Sequence, residues 1–138
     1  MVAEVTKAYT DRFIEALDDP ESIIRAHDNP ILKYIRLFRL ALTEKKGMCL
    51  CALLGAESNE LPIKVKKELK RFFKLNLNWL KKSFILLNTE NKLTAANSAV
   101  EIIALIEGAM MMSITMEDIG IFDQAMARIT SDLTKTPV

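Results

Sequence analysis

Helix breakers are scarce in this chain of 138 residues, which holds four glycines and four prolines. Its two cysteines, Cys49 and Cys51, are too few for a disulfide framework, and a C-x-C pair within one helix points its thiols to different sides. Small stapled secreted folds are thereby excluded, and a reducing cytoplasm is expected. The one histidine, His27, sits beside Asp28 in a loop, so a histidine-based metal centre is excluded. No nucleophile–base pair and no phosphate-binding loop is apparent. No catalytic residue, metal or cofactor is expected, and an enzyme is not expected. The formal net charge of +1 gives no argument for nucleic acid. The N-terminal MVAEVTKAYTDRF is charged and amphipathic, unlike a signal peptide. The apolar run Ile102 to Ile106 falls far short of a membrane span, and no membrane contact is expected.

What is present favours helix. Half of the residues are apolar and 27% are charged, the balance of a folded chain. Spacings of three and four recur, and sustained alternation is absent, so no strand is expected. The expectation is a single all-α domain, residues 1–138, with about six helices in an antiparallel bundle. The first helix runs from Val2 to Leu17, with Val2, Val5, Tyr9, Phe13, Ala16 and Leu17 on one face, and Asp18-Asp19-Pro20 ends it. Residues 20–28 form a loop or a short helical turn. Asn29-Pro30 opens the next helix as N-cap and first-turn proline, with Ile31, Tyr34, Ile35, Phe38, Ala41 and Leu42 inward. Met48 to Glu57 is apolar nearly all round and reads as a buried helix. Pro62 to Asn88 is a long helix with Val65, Leu69, Phe72, Phe73, Leu77, Leu80, Phe84 and Leu87 as its stripe. Asn76 falls in the middle of that stripe, and a buried amide needs partners. Thr94 is expected to cap a helix from Ala95 to Ser113. Thr115-x-x-Asp118 reads as a capping box for a last helix, Met116 to Leu133, beyond which the chain frays.

From Ala99 to Ile114 the only polar residues are Glu101, Glu107 and Ser113. A helix this apolar meets its own core on one face and needs cover on the other, because a monomer rarely leaves a large apolar patch in water. Ala104 and Gly108, four apart, make a small-residue groove where a second helix can approach closely. Ile119, Phe122, Met126, Ile129 and Leu133 follow the 3-4-3-4 spacing of a seam packed along another helix. Two such helices from each of two copies would form a four-helix bundle about a two-fold axis. Its interface would hold Ala104, Gly108, Met111, Met112, Phe122, Met126 and Ile129. The competing reading is a central helix wrapped on all sides within a monomer. The methionines suit either this seam or a pocket floor.

Asn76, Trp79, Tyr9, Tyr34 and Phe38 are candidates to line a cavity for a small, largely apolar organic ligand. Phe13, Phe73, Leu80 and Ile103 complete the expected lining. Each also reads as ordinary core. Asn76 and Trp79 stand out because their polar atoms must be satisfied. Lys64, Lys66, Lys67, Lys70, Arg71, Lys74, Lys81 and Lys82 lie opposite the long stripe. With no aromatic residue among them, they read as a solvated face rather than a phosphate-binding one. Cys49 and Cys51 read as buried small hydrophobes, with no cation within two residues to lower a thiol pKa.

The stretches AYTDRFIEALDD, MCLCALLGAES, LPIKVKKELKRFFKLNLNWL and AVEIIALIEGAMMMS, in that order, resemble the C-terminal sensing domain of TetR-type transcription regulators. The resemblance covers residues 1 to about 133. It implies that residues 1–18 form the helix that joins the body to a DNA-binding head. It implies a dimer through the last two helices, around Ala99 to Met112 and Ile119 to Leu133, and a ligand cavity among the first five. A bound ligand would shift the linking helix and change the spacing of two heads on DNA. The helix-turn-helix head of that family would precede Met1 and is not in this sequence, so DNA would be reached only through it. The alternative function is a stand-alone helical homodimer acting as an adaptor or sequestering protein, without ligand or DNA.

Overall fold

The computed structural model describes residues 2–44, 62–88 and 92–134. Among them the regular structure is entirely helical: α1 (Val2–Leu17), α2 (Pro20–Arg25), α3 (Pro30–Glu44), α4 (Ile63–Asn88), α5 (Lys92–Thr115) and α6 (Gly120–Thr134). The helix expected over Met48 to Glu57, with Cys49 and Cys51, lies outside the described residues.

Helix α1 turns a different edge inward from the one its apolar residues suggest. Thr6, Thr10, Phe13 and Leu17 are buried, while Val5 is 50% exposed and Ala16 is exposed. Thr10 Oγ1 donates to the Thr6 carbonyl oxygen at 2.8 Å, so the hydroxyl is satisfied within the helix and the residue can be buried. Residues 20–25 are a full short helix with Pro20 in its first turn. Asn29 caps α3 as expected: its Oδ1 accepts from the N–H groups of Ile31 and Leu32 at 2.8 and 3.2 Å.

Helix α4 buries Val65, Leu69, Phe72, Asn76, Trp79, Leu80, Ser83 and Phe84. Phe73 and Leu77 are only half-buried, at the edge of this stripe. Helix α5 begins at Lys92, so Thr94 lies inside its first turn and does not cap it. The helix continues to Thr115 and ends with Glu117 in the left-handed region, at φ 53°. There Asp118 N–H donates to the Ser113 carbonyl and Glu117 N–H to that of Ile114, the bond pair of a Schellman C-cap. Thr115 therefore belongs to the end of α5 rather than to a capping box. Asp118 takes over the start of α6: its Oδ1 accepts from Gly120 N–H at 2.9 Å. A Cβ at Gly120 would lie 2.9 Å from that same oxygen, which is why glycine suits the position.

Helices α4 and α5 pack most extensively against each other. Helix α6 packs on α5, α1 and α2 pack on α4, and α3 touches α4, α5 and α6. Phe13, Leu17, Tyr34, Phe38, Phe72, Leu80, Ile106, Met110 and Phe122 lie in one buried cluster. Ion pairs join the helices at the rim. Arg39 donates to both carboxylate oxygens of Asp123, at 2.6 and 2.9 Å, linking α3 to α6. Arg71 pairs with Asp11 between α4 and α1, and Lys82 reaches Asp19 at 3.0 Å. Exposed pairs of this kind contribute little to stability. By length and composition alone, Thr94–Thr115 could cross a membrane, a property hidden in the short run Ile102 to Ile106. Only 39% of its most apolar window is buried, so a large part of its apolar surface is left without cover.

Candidate functional site

A buried polar pair from two helices lies within the aromatic core. Tyr34 on α3 donates its hydroxyl hydrogen to Asn76 Oδ1 on α4 at 2.6 Å, and both residues are fully buried. Asn76 Nδ2 donates to the Phe72 carbonyl at 2.7 Å, one turn back. Burial pushes the Tyr34 phenol well above its usual 10.0, and the neighbouring Glu107 of α5 and Tyr9 of α1 push it further. Both carboxylate oxygens of Glu107 are buried, and neither has a hydrogen-bond partner. Burial raises this acid from 4.5 to about 7, because the anion has lost water without gaining a donor.

The rings expected to line a ligand cavity are together. Tyr9 stacks on Phe13 at 6.3 Å between centroids, Phe13 meets Tyr34 and Phe38 edge-on at 6.0 and 5.1 Å, and Tyr34 stacks on Trp79 at 5.7 Å. Leu80 and Ile103 belong to the same buried cluster. Phe73 is half-buried and joins the group through Phe72, at 5.4 Å. Phe72 itself, which touches both Tyr9 and Phe13, was not among the expected lining. Nor was Glu107, although a carboxylate inside an otherwise apolar helical stretch was a visible signal. The polar atoms that made Asn76 and Trp79 stand out already have partners. Asn76 uses Tyr34 and Phe72, and Trp79 Nε1 donates to the Asp18 carbonyl at 2.7 Å, at the end of α1.

The outer surface of α5, which Glu107 adjoins, is apolar and open. Val100, Leu105, Met111 and Met112 are 52, 40, 36 and 53% exposed, and Met116, just past its end, is 63% exposed. Ala104 and Gly108 lie exposed among them, and a Cβ built on Gly108 meets nothing within 4 Å. A shallow groove of about 330 Å³ runs between α5 and α6, lined by Ala104, Leu105, Gly108, Ala109, Met112, Ile121, Gln124 and Ala125. Two residues expected at a dimer interface are elsewhere. Phe122 and Met126 are 0% and 3% exposed within the subunit, so these two seam residues pack into its own core. Ile129 is half-buried against that same core.

A larger open cleft of about 860 Å³ lies where the end of α3 faces the α5–α6 turn. It is lined by Leu42, Thr43, Ser113, Ile114, Glu117, Asp118 and Ile119, and the Ser113 hydroxyl there is buried without a bonded partner. None of the residues expected to bind a ligand lines this cleft or the groove. The polar cluster, rather than the larger cleft, is the better candidate site, because it joins buried polar side chains of α3 and α4 within electrostatic reach of Tyr9 and Glu107. His27 is exposed in the turn after α2, and no group of metal-ligating side chains forms among the described residues. Comparison with known proteins finds no matching family model, no matching curated protein and no matching solved structure.

Proposed function

We propose that this chain is the effector-sensing and dimerisation domain of a TetR-like transcription regulator. It acts in the cytoplasm as an antiparallel helical bundle that pairs with a second copy about a two-fold axis. The observation that carries this reading is the double character of α5. It holds the carboxylate oxygens of Glu107 out of solvent, while the neighbouring positions Ala104, Leu105, Gly108, Met111 and Met112 are left in solvent. A helix with a polar group held in the core and an uncovered apolar face suits a device that joins a ligand site to an interface.

The effector is a small organic molecule with an apolar body that enters between Tyr34 and Trp79. Trp79 is bonded to the end of α1, so a change in the Tyr34–Trp79 stack reaches α1 directly. Helix α1 leads to a DNA-binding head, and DNA is contacted only through that head. Trp79 is the one tryptophan of the chain and reports on the site. Titration with hydrophobic organic ligands is expected to shift or quench its emission and to raise the melting temperature. An unchanged emission and melting temperature across a broad ligand panel would contradict the sensing half.

A specific observation favours a second reading. Asn76 and Trp79 are satisfied inside the fold without a ligand. A stand-alone helical homodimer serving as an adaptor needs only the α5 face. It shares the expectation of a dimer and differs in showing no ligand response at Trp79.

A further inference from the structure

Among the described residues, Glu107 is the buried acid that the packing around it leaves unanswered. Its oxygens are buried and no side chain donates to either. The obvious donor, the Tyr34 hydroxyl, has its single hydrogen committed to Asn76. What the carboxylate lacks is a positively charged partner: burial is the sole cause that shifts it, and no cation acts on it. A buried carboxylate without such a partner is costly, and one paired to a cation is not. The surroundings have the same preference. The faces of Tyr34 and Trp79 carry the negative end of the ring quadrupole, which attracts a cation and repels an anion. The Glu107 oxygens are enclosed while the residue as a whole keeps part of its surface in solvent, so the acid lies just beneath the outside of α5 and not at the bottom of the core.

We propose that the effector carries an ammonium-type cation, paired with Glu107, on an apolar or aromatic body that lies against the rings around Tyr34. This rests on the sensing reading above and adds the charge of the ligand to it. The cation replaces the missing donor at the Glu107 oxygens, and the ring faces accept the rest of its charge. An anionic effector is excluded from this position by the carboxylate. A neutral one of the same shape gains the apolar contact alone.

The test uses three probes of one shape, phenylbutylamine, phenylbutanol and phenylbutyrate, titrated against the native chain at neutral pH with Trp79 emission as the readout. The amine is expected to bind at least about tenfold more tightly than the alcohol, the scale of one charge-assisted hydrogen bond, and the carboxylate is expected not to bind. Glu107→Gln, nearly identical in shape, is expected to remove the preference for the amine over the alcohol. Glu107→Leu serves as a second variant, and its thermal transition shows that the fold is retained. Equal binding of amine and alcohol, or a preference for the amine that survives both substitutions, would overturn the inference and leave the sensing reading standing. Silence from all three probes in the native chain would count against both.

Discussion

Trp79 Nε1 donates to the backbone carbonyl of Asp18 at 2.7 Å, and Asp18 is the residue that follows α1, in the left-handed region at φ 68°. One side chain of α4 thus fixes the exit of α1 while its ring stacks on Tyr34. The position where the chain leaves α1 and the packing at the candidate site are set by the same residue.

Trp79→Phe keeps a ring against Tyr34 and removes the donor. The loss is expected to be about 1–2 kcal/mol, the range for a hydrogen bond whose acceptor is left partly buried. Tyr34→Phe is expected to cost about 1–3 kcal/mol, because it leaves the buried Asn76 Oδ1 without its donor. Urea unfolding followed by far-ultraviolet circular dichroism measures both. Variants as stable as the native chain would show that these bonds do not hold the core.

The pH dependence of Glu107 has a definite sign. Its folded-state pKa is raised from 4.5 to about 7 by burial. Its contribution is therefore fully present below the unfolded value and is lost as pH rises through about 7. Glu107→Gln removes that loss. The variant is expected to be more stable than the native chain by roughly 2–4 kcal/mol near pH 8, with the gap closing by about pH 5. Asp11, Asp19 and Asp123 act in the opposite sense, each lowered chiefly by its hydrogen bond to Arg71, Lys82 or Arg39. Their contributions are lost as pH falls, and they are common to both proteins. A gap that stays constant from pH 5 to 8 would contradict the burial of this acid.

Helices α2 and α5 end with His27 at φ 62° and Glu117 at φ 53°, and both residues are exposed. The left-handed position after a helix suits glycine, which has no Cβ to crowd the carbonyl. His27→Gly and Glu117→Gly are each expected to raise stability by roughly 0.5–1 kcal/mol. Thermal melts at matched pH check this. A lower melting temperature in both would mean that the native side chains do more there than tolerate the turn.

The same two residues illustrate where sequence reading stops. The Asp18-Asp19-Pro20 break and the Asn29 cap are encoded in residues with strong local preferences, and the helices start and stop there as expected. The turn after α5 uses Glu117 where glycine is the usual signal, so the sequence alone predicts an earlier end for that helix and points to Thr115 rather than Asp118 as the start of α6. Faces were legible where side chains are wholly apolar, as along α3. They were misjudged on α1, where Thr6 and Thr10 enter the core because an intrahelical hydrogen bond hides the hydroxyl. Asn76 was legible as a buried amide in need of a partner, yet the partner, Tyr34, is 42 positions away and no local pattern points to it. On α6 the spacing of Phe122 and Met126 indicates a packed seam and carries no information about whether the surface it meets is the chain's own or that of a second copy.

Gly108 offers the most direct test of the two-fold assembly on which the account depends. A side chain there meets nothing within the subunit at the Cβ, so Gly108→Leu leaves the subunit's own packing intact and occupies the close-approach groove beside Ala104. Light scattering over a wide micromolar range is expected to give twice the chain mass of 15.6 kDa for the native protein. Gly108→Leu is expected to shift toward the single-chain mass with its helical content unchanged. A native protein that stays at 15.6 kDa throughout that range would contradict the account.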